Sequence, residues 1–381
     1  MKKRLKSSLA LLATLALAVS LFLIPSGAET AVTDEASLRS AVAEGGAITM
    51  SNDITLTSAL SISKAVTIDG GTHTLTYGVA NSAAITVSTN DPIELSNVTI
   101  SATASGGKAI DLMSSAPDLS IYDSTLLVHT RGISFMQDGN ATGASLYLDN
   151  SHILNSQIAA GNYLNSTTIG ATRGISLFDT IASEITLVGS SIKGFGYCFN
   201  LSGTKDPNGV SDFGGTIVEV TDSEIYGWTA FNVWSANTLF NINNSHLRGI
   251  NPSNGPSDSF ATIVVNDDIY GYFEGHHAAA CRFNISGGII DNYVTGTCDE
   301  YLFRIDDYGV TRATLTGNVQ FTDNTNELPC AFKAGNQLPT LEFYNYIYNH
   351  DGSNRIQGAE TGCTASRADG STLPLAVLPG A

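Results

Sequence analysis

Ile93-Glu94-Leu95-Ser96-Asn97-Val98-Thr99-Ile100 decides the fold, because the phrase returns as Leu119-Ser120-Ile121-Tyr122-Asp123-Ser124-Thr125-Leu126 and as Leu146-Tyr147-Leu148-Asp149-Asn150-Ser151-His152-Ile153. It reads apolar, any, apolar, any, then Asn, Asp or Gly, then two residues and another apolar. Its second apolar position is Ile68, Leu95, Ile121, Leu148, Leu187, Val220, Ile242, Ile285 and Leu315. Two residues earlier stand Val66, Ile93, Leu119, Leu146, Ile185, Val218, Phe240, Phe283 and Ala313, the period-2 alternation of a strand. Two residues later stand Gly70, Asn97, Asp123, Asn150, Gly189, Asp222, Asn244, Gly287 and Gly317. A strand that bends at the same point in every copy needs φ > 0 there, and Gly, Asn and Asp adopt it most cheaply. Beyond the bend, Ile100, Leu126, Ile153, Ile192, Ile225, Leu247 and Ile290 turn the next strand back inward.

A second strand phrase lies between the copies: Ala109-Ile110-Asp111-Leu112, Gly132-Ile133-Ser134-Phe135, Gly174-Ile175-Ser176-Leu177, Phe199-Asn200-Leu201, Phe231-Asn232-Val233, Ile263-Val264-Val265 and Phe303-Arg304-Ile305. Arg-Gly-Ile-Ser occurs twice, at 131–134 and 173–176. Copies are spaced 27, 26, 27, 39, 33, 22, 43 and 30 residues apart, too irregular for a propeller but natural for a solenoid whose coils carry unequal loops.

The stretch Ala47-Ile48-Thr49-Met50-Ser51-Asn52-Asp53-Ile54-Thr55-Leu56, with Leu60-Ser61-Ile62-Ser63 and Val66-Thr67-Ile68-Asp69-Gly70-Gly71-Thr72-His73-Thr74-Leu75, resembles the opening coils of the pectate-lyase-like superfamily. The resemblance covers roughly residues 46–325 and implies an all-β fold, a single-stranded right-handed parallel β-helix of about nine or more coils. It implies no single activity, because that superfamily holds lyases, glycosidases, tailspikes and adhesins. Residues 33–44 put Leu38, Ala41 and Val42 at helical spacing after Asp34-Glu35, so a short capping helix within 29–45 covers the first coil. Residues 326–381 are expected to form a C-terminal cap, aromatic-rich at Phe343, Tyr344, Tyr346 and Tyr348, and from Gly358 a weakly structured tail.

With 18 Lys and Arg against 35 Asp and Glu, the chain carries −17. Lys2, Lys3, Arg4 and Lys6 precede the apolar run 9–24 and the small residues Ser26-Gly27-Ala28, which reads as a signal peptide, 1–28, cut after Ala28. The remainder holds 14 bases against 35 acids, −21. Nucleic acid is excluded as a partner, no second apolar stretch is long enough to span a membrane, and the expected location is extracellular or at a cell surface. Cys198, Cys281, Cys298, Cys330 and Cys363 lack the spacing of a zinc site. Export permits the disulfides Cys281–Cys298 and Cys330–Cys363, with Cys198 left as a small buried hydrophobe.

In a stacked solenoid a site is a column across coils, with rungs about 4.8 Å apart. Aligning the second phrase gives the column Met113, Met136, Phe178, Ser202, Trp234, Asn266 and Asp306, and one residue on Ser114, Gln137, Asp179, Gly203, Ser235, Asp267 and Asp307. Two residues before the first column stand Asp111, Ser134, Ser176, Asn200, Asn232, Val264 and Arg304. If the last coils are adjacent, Asp267 faces Asp307, and such a pair suits acid–base or nucleophilic attack on a glycosidic bond. Catalytic candidates are therefore Asp267, Asp306, Asp307 and Arg304. Asp267, Asp268 and Asp307 offer hard oxygens to Ca²⁺; otherwise no cofactor is expected. Trp234, Asn232, Asn266, Tyr270 and His276 are the candidate ligand-binding residues. His152 and His246 share a slot whose other members are too varied for a metal ladder.

Polygalacturonase-type glycosidases carry Asn-Thr-Asp, Asp-Asp, Gly-His-Gly and Arg-Ile-Lys; here stand Asn266-Asp267-Asp268, Gly275-His276-His277 and Arg304-Ile305-Asp306, in a different order and spacing. Two functions follow. One is a non-catalytic, adhesin-like β-helix that binds a polysaccharide or glycosylated surface through its stacked outer face; the other is a secreted polysaccharide lyase or glycoside hydrolase acting around Asp267 and Asp307. At −21, a neutral glycan is the better partner than a polyuronate, which would need Ca²⁺ or a local basic groove.

Overall fold

The computed structural model describes residues 29–135, 141–158, 169–178, 180–181, 183–202, 216–234, 238–251, 261–266, 282–294, 301–306, 312–316, 320–323, 347–349, 356–357, 364–367 and 372–373. Its strands stack coil upon coil as a parallel β-helix with three faces.

Face A is a sheet of twelve parallel strands running from Thr30–Val32 through Gly46–Met50, Pro92–Ser96 and Ser145–Asp149 to Arg312–Thr316 and Ile356–Gln357. All nine repeat phrases form it. Ile68, Leu95, Ile121, Leu148, Leu187, Val220, Ile242, Ile285 and Leu315 pair rung to rung at every one of the eight steps, so repeat copy and coil coincide. A twenty-stranded sheet makes the other two faces. Face B runs Thr99–Ala102, Thr125–Val128, His152–Asn155 and on to Thr364–Arg367, while face C runs Ala83–Val87, Lys108–Leu112, Arg131–Phe135, Arg173–Phe178 and on to Ile347–Asn349. In the coils of Ser191–Ser202 and Glu224–Trp234 one long strand serves both.

The inward columns meet along the axis, and from the fifth coil onward the core turns aromatic. Phe240 lies flat on Phe283, with centroids 4.4 Å apart at 3°, and edge-on to Phe231 at 5.2 Å, which in turn stacks on Phe199 at 4.9 Å. Burial of these rings stabilises the coils that carry them.

The bend column behaves as the residue types require. Asn97, Asp123, Asn150, Gly189, Asp222, Asn244 and Gly287 have φ between 45° and 68°. Gly70 differs: the positive φ falls on Gly71 and Thr72, and Gly70 itself is required by close approach, because a Cβ there would lie 2.5 Å from that of Val98. Asn97 Nδ2 donates to Asp69, Asn150 Nδ2 to Asp123 and Asn244 Nδ2 to Asp222, tying each of these coils to the one before it.

A serine ladder runs beside the bends. Ser124, Ser151, Ser190, Ser223 and Ser245 are buried. Each hydroxyl accepts the backbone N–H of the residue at the same place in the preceding coil and donates to the carbonyl two residues before it. A bend opens the backbone pairing, and the serines satisfy the N–H groups it would orphan.

The N-terminal core is closed by the helix Glu35–Glu44, which buries Leu38, Ala41 and Val42. Asp34 caps it by accepting from Ser37 N, and Arg39 reaches from it to the carbonyl of Ala59. Past residue 325, where the alternation fades, strands still pair: Arg304 with Tyr348, Ala313 with Ile356 and Gln320 with Thr364. Beyond Gly358, Thr364–Arg367 is therefore a paired strand rather than part of a loose tail, since backbone pairing needs no apolar alternation once a template edge exists.

Candidate functional site

Face C carries the columns read from the second strand phrase. Phe178, Ser202, Trp234, Asn266 and Asp306 are register partners on successive coils, and so are Asp111, Ser134, Ser176, Asn200, Asn232, Val264 and Arg304. Asn266 and Asp306 thus occupy neighbouring rungs, about 4.8 Å apart. Asp267 and Asp307 follow them by one residue and lie outside the described residues, as do Asp268, Tyr270 and His276. Among the described residues no group of three His, Cys, Asp or Glu could hold a metal ion.

Face C is outward at the Asn232 column without being open. Asn232 is 3% exposed and its Nδ2 donates to Asn200 Oδ1 at 2.8 Å, so it serves first as a rung of an internal amide ladder. Asp111, Ser134 and Ser176 in the same column are buried too. In the neighbouring column Met113 is exposed, at 40%.

A polar plaque on face B escaped the sequence reading. Register stacks Lys193, Tyr226, Arg248 and Asp291 on four successive coils, beside Ser191, Glu224 and His246. Asp291 is buried and receives Arg248 through Nε and Nη2 at 2.9 and 2.7 Å, with His246 Nε2 at 3.0 Å. Tyr226 O–H donates to Glu224 at 2.8 Å and lies 2.7 Å from His246 Nδ1. Glu224 also pairs with Lys193. The Tyr226 ring has Lys193 4.9 Å and Arg248 5.2 Å from its centroid. Burial would raise the Asp291 carboxyl, but the hydrogen bonds from Arg248 and His246 hold it below the usual range; Glu224 is held down likewise by Lys193 and Tyr226. Burial and the Glu224 carboxylate push the Tyr226 phenol up. Every charge in the plaque is answered within it, which suits a staple across coils better than a reacting centre.

Cys198 is buried with its Sγ 3.5 Å from the Ile192 carbonyl, and burial pushes its thiol up, so it packs as a hydrophobe. Cys281, Cys298, Cys330 and Cys363, like residues 1–28, lie outside the described residues. No helix among the described residues is long and apolar enough to cross a membrane.

No family model matches the chain, and no curated protein sequence matches it. Among solved structures, the crystal structure of endo-xylogalacturonan hydrolase from Aspergillus tubingensis is similar at 14% identity, covering 93% of this chain and 100% of that one with a TM-score of 0.42.

Proposed function

We propose that the protein is an exported, carbohydrate-active β-helix that holds a glycan along face C and cleaves it near the C-terminal coils. The observation that carries this reading is the register of Trp234, Asn266 and Asp306 on three consecutive coils, with Asn232, Val264 and Arg304 beside them. Positions that carry an aromatic residue, amides, a carboxylate and a guanidinium thereby share neighbouring rungs of one face, although up to 74 residues separate them in the chain, between 232 and 306. In sequence Asp267 directly follows Asn266, and Asp307 directly follows Asp306.

The chemistry needs two carboxyl groups: one protonates the leaving oxygen while the other activates water or attacks the anomeric carbon. A lyase would instead need a base at the sugar carbon acidified by its neighbouring carboxylate, with Arg304 a cationic candidate and Asp267, Asp268 and Asp307 as oxygens for Ca²⁺. A second reading, in which face C only binds a polysaccharide or glycosylated surface, is supported by the departure of Asn266-Asp267-Asp268 and Arg304-Ile305-Asp306 from the polygalacturonase pattern in order and spacing.

Residues 29–381 incubated with xylan, mannan, β-glucan, dextran and polygalacturonate, with calcium or chelator, are expected to release new reducing ends from one of them. Asp267→Asn with Asp307→Asn should lower that rate by about 100-fold or more. Retained binding without product from any member would establish the second reading instead.

A further inference from the structure

The two Arg-Gly-Ile-Ser copies lie in register on adjacent coils: Arg131 opposite Arg173, Ile133 opposite Ile175 and Ser134 opposite Ser176. The fold accounts for most of the motif. A Cβ on Gly132 would stand 2.5 Å from the Gly174 carbonyl oxygen, and one on Gly174 2.5 Å from that of Cys198, so both positions require glycine. Ile133 and Ile175 are core residues. The fold accounts for the arginines only in part, since Arg173 alone is tied to the backbone, through one nitrogen.

The coil before supplies a control. There the sequence is Lys108-Ala109-Ile110-Asp111, with Lys108 opposite Arg131 and Asp111 opposite Ser134, and Lys108 Nζ is neutralised by Asp111 Oδ2 at 3.0 Å. In the next two coils the counter-ion slot holds serine. Among the described residues Arg131 has no hydrogen-bond or ion-pair partner, and Arg173 gives only Nη1, to the carbonyls of Gly170 and Thr172, while its guanidinium lies 4.0 Å from the centroid of Tyr197. Ser134 is fully buried, and its hydroxyl has no partner among the described residues. Two guanidinium groups one rung apart repel, and Arg173 is held down to about 10 by burial and by the neighbouring Arg131 charge. Among the described residues no acid pairs with either arginine, in a chain of −17.

We infer that Arg131 and Arg173, with the Tyr197 ring as a wall, form a binding subsite for one oxyanion: a carboxylate, sulfate or phosphate group, carried on a glycan or free in solution. Planar guanidinium forks suit such a group, and the anion supplies the counter-charge that Asp111 supplies one coil earlier. The subsite stands apart from the cleavage reading, since it lies four or five coils from Asp306 and requires no reaction. It also revises the preference for neutral glycans, because a local cation pair can hold an anionic group against a repulsive overall field.

Isothermal titration of residues 29–381 with dextran sulfate, uncharged dextran and inorganic sulfate tests it. Dextran sulfate should bind and uncharged dextran should not. Arg131→Gln, and Ser176→Asp, which supplies an internal counter-ion to Arg173, should each weaken binding about tenfold or more, and Arg131→Lys less. Lys108→Gln should change it less than about twofold, its charge being already spent on Asp111. Competition by millimolar inorganic sulfate would identify a free anion as sufficient ligand; its failure would identify the saccharide-borne group. Binding untouched by both Arg131→Gln and Ser176→Asp in folded protein, equal binding of uncharged dextran, or no dextran sulfate binding at all would overturn the assignment. Polysaccharide cleavage is scored separately and can fail without affecting these outcomes.

Discussion

Asp291→Asn lowers the stability of the C-terminal coils by roughly 3 kcal/mol, the expected loss when a buried ion pair is broken from one side. The carboxylate is 4% exposed and answers both Arg248 and His246, whose side chains are 28% and 21% exposed. Because those partners keep some contact with water, the loss belongs at the lower end of the range for buried pairs. The asparagine preserves shape, so the change reports charge rather than packing. Stability to urea should also depend on pH in a defined sense. The folded Asp291 carboxyl lies below its ordinary 3.8, so its contribution is present above that value and fades as the pH falls through the folded pKa. Urea midpoints taken between pH 7 and 2.5 should show an acid-induced fall in the wild type that is smaller in Asp291→Asn. A variant as stable as wild type at pH 7 would mean that the plaque is decorative.

Phe240→Ala is expected to be at least as damaging, about 3–5 kcal/mol, because a fully buried ring is lost together with its contacts to Phe231 and Phe283. A solenoid coil contacts only its neighbours, so the injury should be local. Hydrogen exchange should accelerate most at Val218, Ile242 and Ile285 and least at Ile68 and Leu95 on the same face. Uniform acceleration from end to end would show that the coils unfold as one unit, contrary to nearest-neighbour stacking.

These residues also show what a sequence can record. The face A register was legible at every step because its constraint is written in residue type: alternation fills the core, and the bend admits little besides Gly, Asn and Asp. The face C columns were legible for a similar reason, with Ile133, Ile175, Phe199 and Phe231 marking the inward position and so dating their neighbours to the same rung. Outward was less legible than inward. Asn232 reads as a surface amide, yet its burial against Asn200 depends on what covers face C, which alternation does not encode.

The face B plaque left no column of like residues to notice. Lys193, Tyr226, Arg248 and Asp291 differ in type, and between 20 and 45 residues separate bonded partners such as Tyr226 and His246 or His246 and Asp291. The serine ladder could have been found, since Asp-Ser, Asn-Ser and Gly-Ser recur at 123–124, 150–151, 189–190, 222–223 and 244–245. Its meaning appears only when each hydroxyl is seen to meet the N–H of the coil before.

The most direct measurement of the carbohydrate reading uses the two tryptophans. Trp228 is buried among Ile158, Ile169 and Tyr197, whereas Trp234 belongs to the candidate column on face C. Intrinsic fluorescence is recorded while the same polysaccharide panel is titrated into wild type, Trp228→Phe and Trp234→Phe. A saccharide-dependent change in the first two that is lost in Trp234→Phe is the expected result. A change that survives Trp234→Phe, or none with any polysaccharide in the panel, would contradict the assignment of face C as the glycan site.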